Sequence, residues 1–347
     1  MAKRIALFNH KGGVSKTTTA FNLSWKLAER GHRVVVADTD PQCNLTGLVL
    51  GFKGPSELES FYTEHPERNI HAGLAPAFES RPVPITAVEC VEVKDRPGML
   101  LLPGNIRLSE YETTLGIAQE LSGSIQALQN LPGSIAHLLE ETAVAHDADY
   151  VVIDMSPGLS AINQNLLATS DFFIVPTAPD FFSVMAIDSL ARVVPRWHQW
   201  AQQASSLEIL HDAAYPFPEP NTKFLGAIVQ NFRPRGGAPA TSFQRWIDEL
   251  GLGIRERLVP SFSEAGLLLD GHAYATAGVD ADTMIMVQIP DFNSLVALSQ
   301  DCQKPVFALE PADTGQSGVV LEGTLRSRDQ FNTLFDEMAD QVLSMTA

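Results

Sequence analysis

Seven short runs of uninterrupted apolar residues recur along the chain, at residues 5–8, 34–37, 100–102, 151–153, 172–175, 224–229 and 258–259. Runs of this length that do not alternate with polar residues suit strands covered on both faces, as in a parallel sheet. Between them the apolar spacing changes to a helical one. Ala20, Leu23 and Leu27 mark one helix face, with Gly31 placed as its C-cap. Ile135, Leu138 and Leu139 mark a second, and Phe331, Leu334, Phe335, Met338 and Val342 a last one. This alternation predicts an α/β fold with a doubly wound, mostly parallel sheet, joined by right-handed crossovers and flanked by helices.

The 347 residues, 45% of them apolar, suffice for one large core. A single domain over residues 1–347 is expected, with a peripheral insertion at about 51–98 and an acidic helical region at about 261–347. Residues 203–222, rich in proline near their end, read as an exposed loop. No stretch reaches the roughly 18 apolar residues of a membrane span, and the first residues resemble neither a signal nor a transit peptide. Cys43, Cys90 and Cys302 lack paired spacing, which suits a reducing compartment and excludes a disulfide framework. The expected location is cytoplasmic. Net charge is −17, and only Lys304, Arg326 and Arg328 are basic beyond residue 260. Most of such a surface repels polyanions.

Directly after the first apolar run stands Asn9-His10-Lys11-Gly12-Gly13-Val14-Ser15-Lys16-Thr17-Thr18, opening the first helix. A helix N-terminus offers outward N–H groups with partial positive charge, and glycines let the backbone close around an anion. Residues 11–18 therefore read as a phosphate cradle, with Lys16 for the β/γ-phosphates and the Thr17 hydroxyl for Mg²⁺. Serine fits at position 15 with φ negative. The pattern K-G-G-x-x-K-T resembles the deviant Walker A motif of the ParA/MinD family. That resemblance implies a P-loop ATPase in which Lys11 crosses to the nucleotide of a partner subunit, so that ATP binding holds a homodimer together.

Residues 34–42 form an apolar strand ending in Asp38-Thr39-Asp40-Pro41-Gln42. Alternation puts Asp38 and Asp40 on one side and Thr39 opposite. Two carboxylates at the carboxyl edge of a sheet can orient water beside Mg·ATP. The segment is similar to the family's D-x-D-P-Q switch, which implies Asp40 as the water-orienting carboxylate and Asp38 as its metal-side support. The apolar run before Asp154 matches a Walker B strand, with Asp154 holding Mg²⁺ directly or through water. Residues 102–108, 173–177 and 181–183 extend the resemblance. So do Arg257-Leu258-Val259-Pro260 with Glu264 and Ala265, placed as the late strand beside the base. Asn231 is placed at the adenine edge and Pro260 on its face.

The resemblance further implies a ParA-like switch for DNA partition or cargo positioning, slow in hydrolysis without a separate activator or adaptor protein. Non-specific DNA contact, and with it nucleoid association, would use the least acidic segment, through Arg233, Arg235, Arg255 and Arg257. Membrane attachment needs a basic amphipathic helix, whereas residues 328–347 carry Asp329, Asp336, Glu337 and Asp340. An iron-protein reductase would want paired cysteines. A regulatory or defence subunit, using ATP to control a neighbouring effector, is the alternative.

Overall fold

Six of the seven apolar runs become strands of one eight-stranded sheet in a computed structural model. It describes the chain apart from residues 122–123, 236–237 and 293–294 and the Arg235 side chain. The strands are β1 (Lys3–Leu7), β2 (Val34–Asp38), β3 (Val91–Glu92), β4 (Met99–Leu102), β5 (Tyr150–Asp154), β6 (Phe172–Thr177), β7 (Lys223–Phe232) and, after a separate ribbon of β8 (Pro234–Arg235) and β9 (Ala238–Pro239), β10 (Ile285–Pro290). Their order is β10-β7-β6-β1-β5-β2-β4-β3. All neighbours run parallel except β3 against β4. Sequential strands lie to either side of β1, so right-handed crossovers place helices on both faces and open a crevice at the carboxyl edge.

The helix Lys16–Glu29 follows β1 and buries Ala20, Leu23 and Leu27, with Gly31 at φ 91 just beyond its end. Leu131–Ala145 and Gly318–Met345 are the other two expected helices. One contiguous core joins both faces of the sheet, and a small satellite forms around Ala201, Leu210 and Phe217.

Four expectations are corrected. Residues 258–259 form no strand. They lie in an unbroken helical run made of Thr241–Gly253, a π-helical turn at Ile254–Leu258, and Val259–Glu264. Ile247, Leu250, Ile254, Leu258 and Phe262 are all buried, and their spacing of three or four is the helical signal that decides it. The late strand is β10, so the acidic region 261–347 is not helical alone. Residues 203–222 are anchored rather than loose: Tyr215 and Phe217 are buried, and the Tyr215 hydroxyl accepts from Ile85 N–H at 2.9 Å. The segment 51–98 is peripheral only in its first helix, Pro55–Glu64, which buries no residue. Ile70, Leu74, Ile85, Val88 and Val93 belong to the main core.

Candidate nucleotide-binding site

The strand register gathers the predicted residues. Leu7 of β1 and Asp38 of β2 both pair with Asp154 of β5, so the loop after β1 and two carboxylates share one stretch of the sheet's carboxyl edge. The helix Lys16–Glu29 points its N-terminus into that place. It has no side-chain cap and no acidic residue in its first turn, which leaves its outermost N–H groups for an anion. Gly12 and Gly13 are exposed, and Gly13 has φ 73 with nothing near its missing Cβ. Val14 is buried, while Thr17 and Thr18 are half-buried.

Ser15 departs from the expected backbone. Its φ is 56, in the left-handed region that costs a non-glycine residue roughly 1–2 kcal/mol. A second left-handed residue, Asn231 (φ 64), faces it: its amide nitrogen lies 3.0 Å and its amide oxygen 3.1 Å from Ser15 Oγ. The same amide nitrogen reaches Gly13 O at 3.4 Å. Asn231 thus sits against the loop after β1. Gln230 beside it is fully buried and donates to Thr19 Oγ1 (2.7 Å) and Val14 O (3.3 Å). A glutamine inside an otherwise apolar strand was the available signal for this brace.

The two lysines have different surroundings. Lys16 is buried and donates to Asn9 O (3.0 Å) and Lys11 O (3.3 Å), carbonyls of its own loop. Burial lowers its pKa, and the charges of Asp154 and Asp40 offset part of that. Lys11 turns away. Its ammonium meets Asp180 Oδ2 at 2.6 Å and Ser183 Oγ at 3.1 Å. Asp180 caps the helix Phe181–Ser205 by accepting from Ser183 N–H at 2.8 Å. Burial works against its charge, but Lys11 and that N–H hold the carboxyl below its ordinary range. The sequence reading missed Asp180, although an acid between Pro179 and a new helical pattern has the form of an N-cap.

The carboxylates also differ. Asp38 is fully buried and fully occupied: Oδ2 accepts from Thr46 N–H (2.8 Å) and Thr46 Oγ1 (2.6 Å), and Oδ1 from Asp40 N–H (3.2 Å). Burial pushes its pKa up to about 6. Asp40 accepts from Gln42 N–H at 2.9 Å and lines a cleft of about 330 Å³ that also takes in Pro41, Ser156 and Pro157. Thr39 turns the other way, donating its hydroxyl to Asp154 O at 2.7 Å. Asp154 is buried, and among the described residues neither of its carboxyl oxygens makes a well-formed hydrogen bond, although the Thr17 hydroxyl lies close enough to favour its charge. Burial and the neighbouring Asp38 charge raise its pKa well above the carboxylate range, against the pull of the Thr17 hydroxyl and Lys16. A buried carboxylate without partners is costly unless something cationic completes it.

The structure does not bring Pro260 to this edge. It lies on the helical run packed under β6 and β7, where the adjacent Phe262 ring meets Phe173 (5.7 Å) and Phe224 (5.3 Å) near the strands' amino ends. At the carboxyl edge, Pro290 of β10 pairs with Phe232, next to Asn231. The four basic residues placed at DNA differ in their surroundings. Arg233 is exposed, Arg235's side chain lies outside the described residues, Arg255 is 3.6 Å from Glu256, and Arg257 is paired with Asp188 at 2.7 Å.

A parallel sheet with this strand–loop–helix at its centre defines a P-loop nucleotide-binding fold. A family model described as an AAA domain (AAA_31) matches residues 2–209. The chain belongs to this family of ParA/MinD-type P-loop ATPases. It is 31% identical over 192 residues to an uncharacterised protein of Methanocaldococcus jannaschii, covering 55% of this chain and 64% of that one. It is 30% identical over 193 residues to the chromosome partitioning protein ParA of Caulobacter vibrioides, covering 55% and 62%. Both matches span less than two thirds of the relative's length. The structure of pNOB8 ParA bound to non-specific DNA superposes with TM-score 0.55 at 17% identity, over 100% of this chain and 99% of that one, a likeness of fold.

Proposed function

We propose that the chain is a Mg²⁺-dependent ATPase that closes into a homodimer on ATP and reopens after hydrolysis, acting with a separate activator as a switch for DNA partition or cargo positioning. One observation carries this reading: Asp154, buried beside Lys16 and Thr17 with no well-formed hydrogen bond to either carboxyl oxygen among the described residues. A carboxylate and a hydroxyl next to an anion cradle suit Mg²⁺ shared with a triphosphate. Among the described residues no three His, Cys, Asp or Glu side chains converge as a self-contained metal site, so the ion would be held jointly with the substrate. Bound there, it neutralises charge on the phosphates.

The chain's own residues then divide the work. Residues 12–18 cradle the phosphates by backbone N–H groups. Lys16 leaves its loop carbonyls for the β/γ-phosphates. Asp40, lining its cleft, orients the attacking water, whereas Asp38, expected as metal-side support, has both oxygens taken by Thr46 and the Asp40 N–H and fixes the switch strand instead. Asn231 meets the base. Lys11 leaves Asp180 to reach the partner's nucleotide, neutralising charge as the phosphoryl group departs. Light scattering of the purified protein with ATP and Mg²⁺ tests this: wild type should double in mass, and Lys11→Ala should stay monomeric. A Lys11→Ala dimer would overturn the sandwich.

The pairing of Arg257 with Asp188 and of Arg255 with Glu256 favours a second reading, in which the switch controls a neighbouring effector without DNA. ATP-dependent retention on DNA that weakens with salt would support partition. No retention at low salt would support the effector.

A further inference from the structure

Among the described residues β10 is the last strand of the sheet and pairs with β7 alone. A groove of about 700 Å³ runs along its other side, and residues 285–288 all line it. Successive strand residues point to opposite faces, so four in a row meet one groove only along the strand's hydrogen-bonding edge. The helix Thr241–Gly253 forms one wall with Leu252, and Gly318–Met345 the other with Leu334. The first packs with the helix Phe181–Ser205 and the second with Lys16–Glu29. The groove is thus the side of the sheet left open between its two helical layers.

Two further observations describe what fits. Met286 O accepts from Gln341 Nε2 of the helix Gly318–Met345 at 3.2 Å, a buried bond at the register irregularity between Ile285 and Val287. Beyond that irregularity Gln288 is the one exposed residue of β10 and lines the groove, on a strand whose outer edge carries backbone groups that a neighbouring strand could pair. The rim carries Asp248, Glu249, Asp280 and Glu337 against a single base, Arg255, itself 3.6 Å from Glu256.

We propose that this edge docks an extended basic segment of a partner protein, which adds a strand beside β10. Backbone hydrogen bonds to Gln288 would set its register. Its apolar side chains would reach Leu252 and Leu334 on the two walls, and its Lys or Arg residues the rim carboxylates. The same acidic rim repels nucleic acid. The inference does not depend on the nucleotide reading, because no residue of the groove belongs to that site.

The probe is a fluorescent peptide of repeating Lys-Val-Arg-Val, titrated into the full chain with ATP binding followed in the same samples. Saturable binding is expected, weakened at least about tenfold by Asp248→Lys with Glu337→Lys and lost when alternate peptide nitrogens are methylated. Hydrogen exchange of residues 285–288 should slow in the complex. Absence of binding, equal binding of the methylated peptide, or equal binding of a Glu-Val-Glu-Val peptide would overturn the proposal. So would a nucleotide-independent dimer dissolved by Gln288→Pro, a change that an edge position tolerates, since the occupant would then be a second copy. Failure here with ATP binding intact leaves the ATPase reading untouched.

Discussion

The two ends of the same strands are built in opposite ways. Toward the amino ends of β6 and β7, Phe173, Phe224 and Phe262 form a wholly buried aromatic cluster, and the Tyr274 hydroxyl donates to Phe224 O. At the carboxyl ends, the ionisable side chains of Asp38, Asp154 and Lys16 are buried, Ser15 and Asn231 sit in left-handed backbone, and among the described residues neither Asp154 carboxyl oxygen makes a well-formed hydrogen bond. Apolar burial at roughly 25 cal/mol per Å² stabilises the first end. Buried charge and strained backbone cost stability at the second. The difference separates what folds this chain from what it is folded to do. Mutations at the two ends should therefore shift stability with opposite sign.

The largest effect is expected at the amino ends. Phe262→Ala should cost about 3–5 kcal/mol in denaturant unfolding, with ATP affinity unchanged in the molecules that remain folded. Next comes Asp40→Ala, which should slow hydrolysis about 100-fold or more while ATP binding and dimerisation persist. A variant that hydrolysed normally would move the water-orienting role elsewhere. Asp154→Asn sharpens the contrast most. Burial disfavours ionisation of this carboxyl, so its removal should raise the stability of the nucleotide-free protein near neutral pH by roughly 1–3 kcal/mol, while Mg²⁺ no longer strengthens ATP binding. Loss of stability instead would mean that the carboxylate is structurally satisfied. The smallest effect is expected for Asp180→Asn, which keeps the helix cap but frees Lys11. Its dimer should appear at a few-fold lower ATP concentration in a light-scattering titration.

The sequence made the nucleotide end readable because its chemistry is local. Residues 11–18 lie on one strand–loop–helix, Asp38 and Asp40 are two apart, and Asp154 ends its own apolar run, so motif and context are read together. The fold class followed from the same alternation. What failed was tertiary. Leu258-Val259 had the short apolar form of a strand, yet the period from Ile247 to Phe262 made it helix, and β10 took the edge position instead. Pro260 lost its place beside the base for that reason. The left-handed backbone of Ser15 could not be read from the loop, because what holds it is Asn231, 216 positions away. Asp180 escaped similarly: nothing near Lys11 in sequence announces a carboxylate 169 positions on.

If the chain works as proposed, Asp154, Lys16 and the loop together bind Mg·ATP. Isothermal titration of the purified chain with ATP measures it directly. Saturable heat is predicted with Mg²⁺ present, much weaker in EDTA and absent in Lys16→Ala. No heat with Mg²⁺, or the same heat in Lys16→Ala, would contradict the account.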